Sequence, residues 1–206
     1  MAELLCTPGQ TVGPFFGVAL PYRGAGSLVS DADPDAVQLY GTVYDGAGQG
    51  VPDALIELWQ PDSAGRIVRQ AGSLCRDGAG FTGWGRAATD ADGRYVFTTV
   101  RPGVASRRKI PRTLGVSGDF ASTRQGAFFA IAVFARGLLN RLFTRAYLPD
   151  VDLDADPLLS TLDPGRRATL LCVAESGYLF DIHLQGPNET VFLEFRDDSG
   201  DPGEPR

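Results

Sequence analysis

VQLYGTVYDGAGQGVPDALIELWQPD occupies residues 37–62, and the fold is read from it. Apolar and polar residues alternate over 37–45, the two-residue period of a strand with one face buried. DGAGQGVPD at 45–53 gathers the Gly, Pro and Asp that turns require. ALIELWQPD at 54–62 reads as a second strand, closed by Pro61. The glycines of GAGQG (46–50) join strand to strand, whereas a phosphate-binding loop leads from a strand into a helix. A hairpin turn is therefore expected there.

The same pattern continues along the chain. A tight turn, Asp90-Ala91-Asp92-Gly93, precedes RYVFTTV (94–100), which stops at Arg101-Pro102-Gly103. AFFAIAVF (127–134), RLFTRAYL (141–148), ATLLCVA (168–174), YLFDIHLQG (178–186) and TVFLEF (190–195) follow. Only 154–170 has room for a short helix. Many short strands at close spacing predict an all-β sandwich, antiparallel or mixed, with long loops and at most short helices. Gly (26) and Pro (14) make up nearly a fifth of the 206 residues, which supports many turns over long helices. The length suits one domain, 1–206, with an N-terminal arm and loop over 1–36 and a frayed acidic tail over 196–206. Residues 63–89, rich in Gly and Arg, and the long basic loop 104–126 do not fit the strand pattern.

Composition excludes several functions. A net charge of −6 argues against nucleic acid, which needs a basic face. No run approaches the ~20 apolar residues that cross a bilayer, so no membrane partner is expected. The N-terminus lacks a signal-peptide apolar core, so a cytoplasmic location is expected. Cys6, Cys75 and Cys172 are scattered and odd in number, and are read as inert thiols. With one histidine, His183, no site built on several imidazoles from this chain is available.

Candidate chemistry is sparse. Alternation puts Asp181 and His183 on one strand face, which is either an Asp–His pair or a polar solvent face. Asp152, Asp154 and Asp156 read as a solvated acidic loop. TPGQTVGPFFG (7–17) reads as an extended arm, tucking Phe15 or Phe16 into the core or lining a neighbour's pocket. GAFFAIAVFARG (126–137) ends an uncharged strand abruptly on Arg136.

Several ordered segments carry a resemblance. TPGQTVGPFF, LYGTVYDGAGQGVPDALIELWQPDSAGR, FTGWGRAATDADGRYVFTTVRPG, FARGLLNRLFTRAYLPD and YLFDIHLQGPNETVFLEF span Thr7 to Phe195 in this order. The chain resembles the intradiol ring-cleavage dioxygenases, and within them the α subunit of a two-subunit enzyme. The resemblance implies a prealbumin-like β-sandwich and a homologous β subunit as partner in an αβ hetero-oligomer. It implies one non-haem Fe(III), held by the partner β subunit through two tyrosines and two histidines. It implies oxidative cleavage of protocatechuate by O₂, between its hydroxylated carbons, at a shared site.

On this chain the family's four ligand positions carry no donor. Val104 and Ala105 follow Pro102-Gly103 where a Tyr is expected, and residues 66–85 contain no Tyr. Phe128-Phe129-Ala130 replaces His-x-His. No catalytic or metal-binding residue is therefore expected in this chain alone. The substrate-cavity positions that the resemblance implies are Thr11, Gly13, Pro14 and Phe15 of the arm, with Phe15 where the family has Tyr, and Arg136. A guanidinium is always charged and pairs bidentately with a carboxylate such as protocatechuate's. Two other readings stay open: a non-catalytic sandwich that only stabilises or regulates a partner subunit, and a stand-alone module binding small aromatic acids.

Overall fold

A computed structural model describes residues 19–68, 80–105 and 126–194. Its strands are β1 (Ala36–Tyr44), β2 (Leu55–Trp59), β3 (Trp84–Ala88), β4 (Arg94–Val100), β5 (Phe128–Phe134), β6 (Leu142–Tyr147), β7 (Val173–Ala174), β8 (Tyr178–Leu179) and β9 (Ile182–His183). The first sheet runs β4-β1-β8-β7, with β9 pairing further along β1, and the second runs β3-β2-β5-β6. The second sheet is antiparallel throughout, whereas β8 and β9 run parallel to β1. Leu39, Val43 and Phe97 of the first sheet bury against Ile56, Leu58, Phe129, Ile131 and Val133 of the second. Each such side chain contributes roughly 1.5–3 kcal/mol by leaving water. The chain is an all-β sandwich. Among the described residues no helix is long and apolar enough to cross a membrane.

The opening segment folds differently from the simple hairpin expected. Asp45 N donates to Gln49 O at 2.9 Å and Val51 N to Val43 O at 2.8 Å, so a tight turn does form. Its returning arm ends there, and the chain crosses at Asp53 to start β2 in the opposite sheet. Alternating strands look alike in sequence whether they pair with each other or face each other across a core. Polar clasps secure the crossing. Thr89 Oγ1 donates to Val51 O and accepts from Ala54 N, both at 2.8 Å. Gln60, at the end of β2, accepts from Thr99 Oγ1 at 2.7 Å and donates to Val100 O at 2.9 Å.

Loop 23–36 also does more than connect. Leu28 is fully buried, its N–H donates to Thr98 O, and Arg86 N donates to Ala25 O. This segment closes the open side of the sandwich between β3 and β4. Its apolar pair, Leu28-Val29, was the available sequence signal. β3 itself lies inside the glycine-rich stretch that periodicity left unassigned. The strand expected at 168–174 shrinks to Val173–Ala174, because Asp163 caps a short helix, Pro164–Ala168, through Arg166 N. The strand expected at 190–195 is extended chain over 190–194, tied to β6 by Leu193 N to Phe143 O.

YLFDIHLQG breaks into β8 and β9 for a specific reason. Tyr95, opposite Gly41 in the β1–β4 ladder, sends its hydroxyl to Phe180 O at 2.6 Å. A Cβ at Gly41 would lie 1.9 Å from that carbonyl oxygen, so only glycine permits the approach. Thr42 N then donates to the Asp181 carboxylate at 2.8 Å.

Candidate functional site

β5 organises the second sheet. Phe129, Ile131 and Val133 point into the core, so the alternate residues Phe128 and Ala130 lie on the outer face. Strand register sets Trp84, Trp59, Ala130 and Arg145 in one row across that face, with Arg86, Glu57, Ala132 and Phe143 in the next. Trp59 is 55% exposed and packs at 5.7 Å on Trp84. Arg86 lies 5.1 Å from the Trp84 ring and pairs with Glu57 at 2.5 Å. Arg86 also donates to Leu20 O at 3.1 Å. It thereby anchors the chain to β3 where the described residues begin.

At the start of β5 a buried polar network forms. The Arg145 guanidinium sits 4.4 Å from the Phe128 ring and donates to the Tyr147 hydroxyl at 3.0 Å. Tyr147 donates to Asp156 at 3.1 Å. Asp156 also accepts from the N–H groups of Gly126 at 2.8 Å, Leu158 at 2.9 Å and Leu159 at 3.1 Å. Asp156 is fully buried, which overturns the reading of 152–156 as a wholly solvated loop; Asp152 and Asp154 are exposed. A carboxylate loses its hydration only where several donors replace it. Burial pushes the Tyr147 hydroxyl up to about 12, with Arg145 pulling the other way.

These residues do not fit a ferric ion. The outer-face positions 128 and 130 present a benzyl and a methyl group, and Val104 is a hydrocarbon as well. Ferric iron takes anionic or strongly basic donors. The charged group beside Phe128 is the Arg145 cation, which repels a metal ion. His183 lies in the other sheet, stacked 4.9 Å from Tyr44. Asp181 and His183 form no catalytic pair, since the carboxylate is committed to Thr42 N and the imidazole to Tyr44.

The far end of β5 carries Arg136. Ala135 is buried in the core, and Leu138 N returns to Ala135 O at 3.2 Å. Gly137 takes the left-handed position of that turn, at φ +89°. The strand therefore ends abruptly and Arg136 projects from a fixed base. Its side chain is 54% exposed, and Nη2 donates to Asp53 Oδ2 at 3.0 Å. Asp53, 53% exposed, belongs to the crossing loop and has φ +61°. No linear pattern links positions 53 and 136, so this pairing was not readable from the sequence. Arg136 lies six positions beyond Ala130, roughly 20 Å along an extended chain. Arg136 is thus remote from Phe128 and Ala130 at the other end of the strand. A shallow concavity of about 650 Å³ lies elsewhere, over Tyr40, Thr42, Arg94 and Val96 of the first sheet. Thr11, Gly13, Pro14 and Phe15, most of the basic loop, and the tail 196–206 lie outside the described residues.

Comparison with known proteins adds to this geometry. A family model described as Dioxygenase matches residues 13–186. The chain is 36% identical to the protocatechuate 3,4-dioxygenase alpha chain of Burkholderia cepacia, over 94% of this chain and 100% of that protein. Against the beta chain of that name from the same organism, identity is 29%, over 80% of this chain and 71% of that protein. Among solved structures, it is similar to the dioxygenase domain of a dioxygenase–carbohydrate-binding protein fusion from Streptomyces sp. SirexAA-E. The identity is 26% and the TM-score 0.53, over 87% of this chain and 98% of that one.

Proposed function

The chain belongs to the intradiol ring-cleavage dioxygenases, an iron-dependent family, and from that premise we propose that it is the iron-free α subunit of a protocatechuate 3,4-dioxygenase. One observation carries the reading. A chain similar to an alpha chain over that protein's whole length carries Phe128 and Ala130 at the positions where the resemblance implies imidazoles. A homologous β subunit then holds the Fe(III), and the αβ complex cleaves protocatechuate with O₂ to 3-carboxy-cis,cis-muconate. The similarity to a beta chain as well as an alpha chain supports a partner of the same fold.

This chain's contribution is a wall of the cavity. Arg136 offers a guanidinium to the substrate carboxylate, and Thr11, Gly13, Pro14 and Phe15 border the cavity mouth. The remoteness of Arg136 from Phe128 and Ala130 supports a cavity shared with the partner. The chain acts as one domain, in the cytoplasm. Co-expression with a partner carrying the Tyr/Tyr/His/His set tests the whole reading. The complex is expected to bind iron, to be coloured and to consume O₂ with protocatechuate, whereas this chain alone does none of these. Stoichiometric iron in the isolated chain, or a stable complex with no effect of Arg136→Ala on protocatechuate, would overturn it. The latter result favours the purely stabilising subunit.

A further inference from the structure

We propose that Asp53 is a positioning residue that aims the Arg136 guanidinium and so sets selectivity for carboxylated over neutral catechols. The proposal rests on the reading of Arg136 as the group that meets the substrate carboxylate.

Arg136 has a rigid base and a free tip. Its backbone is fixed by buried Ala135 and the Gly137 turn, but the long side chain lies half in water. An unpartnered arginine spreads over many rotamers, and binding a carboxylate would have to select one of them. Asp53 makes that selection beforehand. It takes a single N–H, on Nη2, at 3.0 Å. Among the described residues no other partner engages this guanidinium, so its remaining N–H donors stay available for a carboxylate.

The position of Asp53 is unusual in its own right. It is the one described non-glycine residue with positive φ, at +61°, a region that glycine enters freely. Glycine would therefore serve the crossing loop at least as well, and what the aspartate adds is its carboxylate. That carboxylate is itself half in water, so solvent screens its charge from an incoming anion more than it weakens the directional hydrogen bond. Orientation is thus the larger effect, and removing the carboxylate is expected to weaken rather than strengthen substrate binding.

The test uses the complex with its β-type partner, with O₂ uptake measured on protocatechuate and on neutral catechol. Asp53→Asn and Asp53→Gly both tolerate the backbone conformation. Each is expected to raise KM for protocatechuate about two- to five-fold with kcat unchanged, the range of an exposed ion pair. Catechol kinetics should not move. In an Arg136→Ala background, Asp53→Asn should add nothing. A fall in KM, an equal change for both substrates, or an undiminished effect in the double variant overturns the proposal. If Arg136→Ala acts on protocatechuate while both Asp53 variants are silent, this proposal alone fails. If Arg136→Ala itself is silent, the reading of Arg136 fails and takes the proposal with it.

Discussion

The two ends of β5 each bring an arginine and an aspartate to the second sheet, and they use them in opposite ways. At the start, Asp156 is fully buried and accepts from Gly126, Leu158, Leu159 and Tyr147, while Arg145 lies over Phe128. At the finish, Asp53 and Arg136 are half exposed and share one hydrogen bond. The first arrangement is over-determined. Removing any member strands another polar group away from water, so it holds loop 151–162 on the sheet. The second can be exchanged cheaply, because water stands ready to replace either partner. A buried hydrogen-bond network fixes architecture, and a solvent-facing pair can hand its cation to a ligand.

The largest expected effect is at the buried end. Asp156→Ala leaves three backbone N–H groups and a hydroxyl without their acceptor, and should cost about 3–5 kcal/mol in urea unfolding. A loss below 1 kcal/mol would erase the contrast between the ends. Next comes Arg136→Ala in the assembled complex. It should raise KM for protocatechuate by about 5- to 150-fold, equivalent to 1–3 kcal/mol, with little change for catechol. Arg136→Lys should recover part, because an ammonium keeps the charge but not the planar fork. Equal losses on both substrates would make Arg136 a structural brace.

Tyr147→Phe should cost about 0.5–1.5 kcal/mol at neutral pH, one buried hydroxyl's hydrogen bonding. It also sharpens the comparison through pH. Burial raises Tyr147 to about 12 in the folded chain, against about 10 when unfolded. The folded state therefore holds the proton more tightly. That contribution is complete below pH 10 and is lost as pH rises through 12. Buried Cys172, raised by burial to about 12, and buried Tyr95 add losses of the same sign. Stability measured from pH 8 to 11 should fall, and the fall should be shallower in Tyr147→Phe. The smallest effect belongs to the exposed pair. Arg136→Ala should change the melting stability by less than about 1 kcal/mol.

How much was legible in the sequence differs between the same two ends. An uninterrupted apolar run marked β5, and its abrupt close on Arg136 was visible because one charge ends that run. The resemblance implies that Phe128 and Ala130 stand where imidazoles would, and a substitution of that kind is read from residue type alone. Asp156 was misread because a linear string of three aspartates carries no record of which one turns inward. Asp53 passed unnoticed because Val-Pro-Asp reads as an ordinary turn.

By itself, then, the sequence determined the all-β class, the positions of most strands and the family, because alternation and turn chemistry are local properties. Tertiary structure alone decided that β1 and β2 lie in opposite sheets, that loop 23–36 seals the sandwich, and which aspartates meet which arginines. Residues 53 and 136, or 126 and 156, are brought together only when strands from different parts of the chain pack. The free energy that selects such pairs comes from burying the shared core and satisfying the polar groups it traps. Neither quantity is defined until the second sheet has closed over the first.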